Sequence, residues 1–262
     1  MDYSDLIASG VDAADLSRAT TIPETWKQGR TAYGGLTAAL CLQAATPLAG
    51  GLPVRAVQVG FVGPVNGTVN CTPVLLRQGK NTVFVHVRMS GDEGILADAI
   101  ITFGAARASA LDFGHLPPPD VPPPEQATNY FKTDRPGPAF AAHFQMLLAG
   151  GYPPMSGAPA GDVSIWMRHR DPKTPSDAIA LLALGDAPPP AAMSLFTQPA
   201  RISSMTWMAE FLTETFETED RWFLARHVAQ TARYGYSSQA MTMWNSKREP
   251  VMVGRQTIAV FG

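Results

Sequence analysis

The pattern of apolar positions predicts one helix followed by several strands, and it predicts this order twice along the chain. In the N-terminal half, a short strand is expected at residues 26–31, and residues 36–45 are rich in the helix-favouring Ala and Leu. This helix is apolar on nearly all sides, so we expect it to be buried. Four strands are predicted after it, at residues 54–62, 68–77, 81–89 and 95–103. Short turns between them indicate an antiparallel sheet.

The C-terminal half repeats the order. A strand is predicted at residues 163–170, and Thr174 is the expected N-cap of a helix that residues 179–184 carry and Gly185 ends. Prolines just beyond this glycine cannot continue a helix. Four further strands are predicted at about residues 201–216, 221–231, 234–244 and 251–261.

A proline-rich segment separates the two halves. Residues 116–124 contain six prolines, a composition typical of a stiff, extended linker. The sequence therefore predicts an N-terminal unit at residues 1–106, a linker at 107–137 and a C-terminal unit at 138–262. An extra strand is expected at residues 143–148.

Composition and charge exclude several classes of protein. The 262 residues are 45% hydrophobic and 16% charged with a net charge of −2, which indicates an ordered globular protein without the basic field that nucleic acids need. No stretch reaches the roughly 20 apolar residues that span a bilayer. An acidic start and two cysteines, Cys41 and Cys71, expected to be buried free thiols, favour a cytoplasmic protein. The five histidines are isolated in the sequence, so no metal site is expected.

Polar residues in the C-terminal half suggest chemistry. Asp186 follows the second helix, Ser204 and Thr206 are two apart on one face of a predicted strand, and Gln256 lies in the last strand. A carboxylate, a hydroxyl and an amide can together hold a water molecule and accept its proton. The same residues could also be a turn cap, a strand hydroxyl and a surface amide, and spacing alone favours this structural interpretation while leaving the catalytic one open.

The two halves differ at these positions. Ile100 stands in the first half where Gln256 stands in the second, and Pro47 and Gly50 follow the first helix in place of a carboxylate. The duplication is therefore predicted to hold one competent site, which the C-terminal half mainly builds.

Five short motifs, in this order and spacing, resemble the double hot-dog acyl-CoA thioesterases, the type II thioesterase group of bacteria and peroxisomes. The resemblance covers nearly the whole chain apart from the proline-rich segment. The motifs are Tyr33-Gly34-Gly35, Leu76-Arg77-Gln78-Gly79-Lys80, Asp186-Ala187-Pro188-Pro189-Pro190-Ala191, Ser204-Met205-Thr206 with Phe211, and Val253-Gly254-Arg255-Gln256.

The resemblance implies an α+β double hot-dog fold, in which two antiparallel sheets each wrap round a central helix in tandem. It implies that Asp186, Ser204 and Gln256 position the water that attacks an acyl-CoA thioester, with no cofactor and no metal. Family members commonly carry Thr at the position of Ser204, and a shift of the alignment would give the hydroxyl role to Ser203 or Thr206.

Four further residues are expected to bind substrate: Tyr33, Gly34, Gly35 and Thr206. The resemblance places the first helix start near the thioester carbonyl, where backbone N–H groups can bind an oxyanion. A simple strand-to-helix turn would also need these glycines. Acyl-CoA is the expected partner, without nucleic acid, and two chains are expected to pair as a homo-oligomer.

Two other functions stay open on the same fold. One is an acyl-CoA hydratase or dehydratase, which usually needs an Asp and His pair near the helix. The other is a non-catalytic acyl-CoA or lipid-binding protein, because fold alone does not decide function. There is no G-x-S-x-G motif, which argues against a serine hydrolase.

Overall fold

A computed structural model describes residues 1–131 and 137–261 of the chain. The N-terminal half confirms the predicted helix and the four strands after it, and adds a short first helix and two short strands near the start. Its elements are α1 (Tyr3–Ala8), β1 (Val11–Asp12), β2 (Arg18–Thr21), β3 (Lys27–Gln28), β4 (Thr31–Ala32), α2 (Gly34–Ala45), β5 (Val54–Phe61), β6 (Thr68–Gln78), β7 (Thr82–Gly91) and β8 (Gly94–Gly104).

The C-terminal half repeats this plan and confirms the extra strand, which is β10. Its elements are β9 (Thr128–Asn129), β10 (Phe144–Gly151), β11 (Asp162–His169), α3 (Ala178–Gly185), β12 (Arg201–Phe211), β13 (Phe223–Arg233), β14 (Tyr236–Trp244) and β15 (Pro250–Phe261).

The strands of both halves form one continuous antiparallel sheet, whereas the resemblance had implied two. The sheet has 13 strands in the order β1-β2-β6-β7-β8-β5-β12-β15-β14-β13-β11-β10-β9, and β3 and β4 form a separate hairpin. The halves meet where β5 pairs with β12, with Val57 opposite Ala209. An unpaired edge strand leaves a row of N–H and C=O groups without partners, and this pairing satisfies both inner edges at once.

Two buried helices lie at the centre and pack against each other. α2 also contacts strands β5 to β8 of its own half. Leu36 and Leu182 are each 0% exposed, as the all-round apolar pattern predicted. Because α2 and α3 come from different halves, their contact joins the two halves in addition to the pairing of β5 with β12.

Two local predictions were wrong. Residues 26–31 do not form one strand, because the short strands β3 and β4 pair with each other as a hairpin. The N-cap of α3 is Asp177 instead of Thr174, and the Asp177 carboxylate accepts a hydrogen bond from the Ala180 backbone N–H at 2.8 Å. A carboxylate in this position satisfies one of the free N–H groups of the first turn, so the helix begins three residues later than predicted.

The proline-rich segment lies along the C-terminal half and is held there by its carbonyl groups. The indole N–H of Trp244 donates to Leu116 O at 2.8 Å, and that of Trp166 donates to Pro122 O at 2.9 Å. Arg248 donates to two further carbonyls of the segment. Proline lacks an N–H but keeps its C=O, so an extended proline segment can be bound by donors on the sheet without joining it.

Cys41 and Cys71 are buried free cysteines, as predicted. Within residues 1–131 and 137–261, no helix is both long and apolar enough to span a lipid bilayer.

Candidate active site

A cavity of about 820 Å³ lies between the two halves, beside the N-terminus of α2. Its wall is largely aromatic and aliphatic, with a stretch of prolines on the C-terminal side. Asp186 and Arg30 are the acidic and basic side chains among the described lining residues. Residues that line it include Tyr33, Gly34, Phe61, Tyr130, Phe140, Met155, Asp186, Pro188, Met193, Ile202, Ser203 and Ser204. A cavity of this size, with aromatic and aliphatic walls and a few polar side chains, fits a binding site for a small-molecule ligand.

Asp186 lies where the two helices meet. It is the C-cap residue of α3, and its carboxylate faces the first residues of α2. A Cβ atom on Gly34 would lie 2.6 Å from Asp186 Oδ2, and one on Gly35 would lie 2.5 Å from the carbonyl oxygen of Ala183. The two glycines therefore let α2 approach the end of α3 closely enough to place its positive end on the carboxylate.

Gln256 connects the three predicted polar residues. Its Nε2 group donates to Asp186 Oδ1 at 2.9 Å and to Ser204 Oγ at 2.8 Å. The Gln256 side chain is 1% exposed and lies behind the cavity wall, whereas Asp186 and Ser204 line the cavity. Because Ser204 Oγ accepts from the amide, its own hydrogen can point toward a bound molecule.

A β-bulge separates Ser204 from Thr206. The register of β12 against β15 shifts between them, with Ser204 opposite Ile258 and Thr206 opposite Thr257. The extra residue, Met205, breaks the alternation of faces. Thr206 is exposed and is not among the residues that line the cavity, so the expectation that both hydroxyls share one face is wrong. Ser203 does line the cavity.

Burial raises the pKa of Asp186 to about 7 from an ordinary value of 3.8. The hydrogen bond from Gln256 and the nearby backbone N–H of Gly35 act in the opposite direction and lower this pKa. A carboxylate with a pKa near neutrality can accept a proton and release it again at the pH of a cell.

The remaining predicted residues also lie at this end of α2. Tyr33 is the N-cap residue of α2, lines the cavity and donates its hydroxyl hydrogen to Ala183 O at 3.0 Å. Its ring stacks on Phe140, with the ring centroids 4.3 Å apart. Tyr33 therefore fixes α2 against α3 and forms part of the wall, and its hydroxyl is already engaged.

Two contributions were missed by the sequence reasoning. Gln239 is buried behind Gln256 and is hydrogen-bonded to it, and the visible signal was a polar residue at an inward position of an alternating strand. The aromatic wall, which includes Phe61 and Phe140, comes from segments far apart in the sequence, and no local pattern indicates it.

No group of three or more His, Cys, Asp or Glu residues that could hold a metal ion occurs within the part of the chain that the structure describes. A recess at the N-terminus of α3, the counterpart of the cavity at α2, has a volume of only about 20 Å³. The cavity at α2 is the candidate site because Asp186 and Ser204 line it.

The architecture and the site define a hot-dog protein with two units in one chain. Two family models match it: the acyl-CoA thioesterase N-terminal domain over residues 22–104 and the acyl-CoA thioesterase C-terminal domain over residues 115–260. The chain belongs to the acyl-CoA thioesterase family. A search of curated proteins finds no match.

Solved structures share the fold over the whole chain. A hot-dog protein of unknown function from Alicyclobacillus acidocaldarius has a TM-score of 0.89 at 23% identity, covering 100% of this chain and 99% of that one. The tesB protein of Mycobacterium avium subs paratuberculosis has a TM-score of 0.81 at 18% identity, covering 99% of both chains. The acyl-CoA thioesterase II TesB2 from Mycobacterium marinum has a TM-score of 0.78 at 15% identity, covering 98% of both chains.

Proposed function

We propose that this protein hydrolyses an acyl-CoA thioester to a free acid and CoA, using a water molecule that Asp186 and Ser204 hold at the cavity wall. The observation that carries this proposal is that Gln256 lies behind the cavity wall and is hydrogen-bonded to both Asp186 and Ser204, which line the cavity. Asp186 accepts a proton from the water, and the Ser204 hydroxyl donates a hydrogen bond to a lone pair of the water oxygen. Gln256 holds the side chains of Asp186 and Ser204 in place. Family membership supports the reaction class.

In this mechanism the water oxygen bonds to the thioester carbonyl carbon while its proton passes to Asp186. The resulting oxyanion lies near the N-terminus of α2, where the helix dipole and the N–H groups of Gly34 and Gly35 stabilise negative charge. The carbon–sulfur bond then breaks, and Asp186 returns the proton to the leaving thiolate. The positive end of α2 thus stabilises negative charge on Asp186 before the attack and on the oxyanion after it.

The hydratase alternative has less support. That reaction usually needs a histidine beside the aspartate, and none of the described residues that line the cavity is a histidine. The binding-protein alternative makes a different prediction, because such a protein would bind acyl-CoA without releasing a thiol.

The direct test is a panel of acyl-CoA esters of different chain lengths, scored by the release of free CoA thiol. Turnover of at least one ester is expected. If CoA esters bind, as measured by calorimetry, but none is hydrolysed, the protein is a binding protein and the proposal is wrong.

The rate should depend on pH through Asp186. An ionised carboxylate is needed to accept the proton, so kcat/KM is expected to rise about tenfold per pH unit below pH 7 and to level off above a pKa of about 7. Initial rates measured between pH 5 and 9 would check this. A rate that stays level from pH 9 down to pH 5 would contradict the raised pKa of Asp186 and show that its carboxylate is not desolvated in the active protein.

Alanine substitutions should show which of three neighbouring hydroxyl groups, those of Ser203, Ser204 and Thr206, contributes to catalysis. In Ser204→Ala, loss of the hydroxyl is expected to lower kcat about tenfold, the upper range for one neutral hydrogen bond. Thr206→Ala should leave kcat unchanged, because Thr206 is exposed beyond the bulge. Steady-state rates of both variants and of Ser203→Ala decide which hydroxyl contributes. A larger loss in Ser203→Ala than in Ser204→Ala would reassign the role.

Three features stay predictions: the unit boundaries at residues 106 and 137, the pairing of two chains and the cytoplasmic location. We propose that pairing uses the outer face of the N-terminal half of the sheet, where Val74, Phe84 and Ile100 are exposed.

A further inference from the structure

A second glutamine stands behind the site. Gln239 lies on β14 directly opposite Gln256 on β15, and it is 1% exposed. Its Nε2 group donates to Gln256 Oε1 at 2.7 Å, and its Oε1 atom accepts from the backbone N–H of Ala191 at 3.0 Å. It is not among the residues that line the cavity, so it acts only through its neighbours.

These contacts give the row of hydrogen bonds one direction. The backbone N–H of Ala191 can only donate, so the oxygen end of Gln239 must face it. The NH2 group of Gln239 then faces Gln256 and requires an oxygen there. This turns the NH2 group of Gln256 toward Asp186 and Ser204. Ala191 is the first residue after three prolines, none of which has an N–H to offer.

The opposite orientation of Gln256 would disable the site. Gln256 Oε1 would then face the Asp186 carboxylate, and two acceptors would meet without a hydrogen between them. Both glutamines are buried, so bulk water could not relieve this contact. The shape of an amide does not distinguish its two ends, so only hydrogen-bond partners can select the working orientation.

We propose that Gln239 is a positioning residue, which sets the amide of Gln256 so that its NH2 group donates to both Asp186 and Ser204. The kinetic consequence rests on the proposed hydrolase function, whereas the hydrogen bonds exist with or without catalysis.

Two substitutions of Gln239 distinguish an orienting role from simple anchoring of Ala191. In Gln239→Glu, an ionised carboxylate still accepts from Ala191 but cannot donate, so Gln256 turns its NH2 group toward Glu and its oxygen toward Asp186. In Gln239→Met, the hydrogen bonds to Ala191 and Gln256 are both lost, but the Asp186 carboxylate still attracts the NH2 group of Gln256. The expected order of kcat at pH 8 is wild type, then Met, then Glu.

The Glu variant should lose kcat about 10- to 100-fold, the equivalent of one hydrogen bond to a charged group, with little change in KM. The Met variant should lose only a few-fold. The loss in the Glu variant should shrink as pH falls, because a protonated Glu can donate again. A residue that only anchored Ala191 would give the reverse order, with Glu above Met, and that result would overturn the proposal.

Ser237→Ala is the matched control. Ser237 lies two residues before Gln239 on the same buried face of β14, and its hydroxyl has no hydrogen-bond partner among residues 1–131 and 137–261. The control should keep the kcat of the wild type and show that a polar-to-apolar change in this strand does not itself impair activity.

A second measurement needs no activity. Asp186→Asn offers an NH2 group that can meet the reversed Gln256, so it should partly rescue the stability of Gln239→Glu at pH 8. In urea unfolding, the two substitutions should then be non-additive, with the double variant more stable than the sum predicts. The same pair of substitutions, Gln239→Glu and Asp186→Asn, is then measured in a Gln256→Met background. Only the direct repulsion between the carboxylates of Glu at position 239 and Asp186 remains there, so the non-additive part of the stability change should be smaller.

The outcomes are distinct. The positioning role would be overturned, even in an active enzyme, if the stability changes of Gln239→Glu and Asp186→Asn were additive. It would also be overturned if their non-additivity were the same with and without Gln256. A wild-type protein that hydrolyses no acyl-CoA would overturn the proposed function, and the stability cycle would still decide the role of Gln239.

Discussion

Asp186→Asn is expected to lower kcat at least about 100-fold, the low end for a lost general base. The amide cannot take the proton of the attacking water, although it has nearly the same shape as the carboxylate. Thiol release from the best acyl-CoA substrate measures the effect, with Thr206→Ala as a control of similar size outside the cavity. Full activity in Asp186→Asn would sink the assignment of the base.

The stability of the same variant shows whether a loss of activity comes from unfolding. The pKa of Asp186 is about 7 in the folded protein and near 3.8 when exposed, so ionisation opposes folding between these values. The contribution of the protonated carboxyl group to the free energy of unfolding is complete below about pH 4 and is lost as the pH rises through 7. Asn does not titrate, so urea unfolding should show the variant gaining stability relative to the wild type over that range. A difference that does not change with pH would contradict the raised pKa.

Gly35→Ala should destabilise the fold by about 1–3 kcal/mol, the usual cost of overpacking a tight contact. The new Cβ would lie 2.5 Å from the carbonyl oxygen of Ala183 and 3.1 Å from Asp186 Cβ. Alanine favours a helix over glycine by about 1 kcal/mol, so propensity alone predicts the opposite sign. Activity should fall as well, because α3 and its aspartate must move to make room.

Gly60→Ala is the control for this prediction. Gly60 lies on β5, and the nearest atom to an added Cβ is Asp98 O at 3.9 Å, an ordinary contact. Urea unfolding of both variants is expected to show a loss of stability for Gly35→Ala and little change for Gly60→Ala. If Gly35→Ala and Gly60→Ala were equally stable, α2 and α3 would not approach each other as closely as described.

Most secondary structure could be predicted because it is written in local patterns. The helix at residues 36–45 and the strands after it follow from residue composition and from the spacing of apolar positions along the chain. Tertiary packing did not override these local preferences. The start of α3 could not be predicted, because both Thr174 and Asp177 are good N-caps and only backbone geometry chose Asp177. The joined sheet was also missed, since edge pairing between halves has no local signal.

Asp186, Ser204 and Gln256 were selected by resemblance, and the structure brings their side chains together. Thr206 was misplaced because strand periodicity assumes an unbroken register, which the bulge at Met205 interrupts. Their catalytic roles stay predictions until the variants are measured.

The sequence by itself determined the repeated order of helix and strands, the buried helices and the family, because these depend on residue type and spacing along the chain. Only the tertiary structure decided which groups meet. It placed the end of α3 on the start of α2, explained Gly34 and Gly35 by that close approach, and aligned Gln239 behind Gln256. Such contacts join residues far apart in the sequence, as between Tyr33 and Ala183, which are 150 positions apart, so they depend on how the two halves pack.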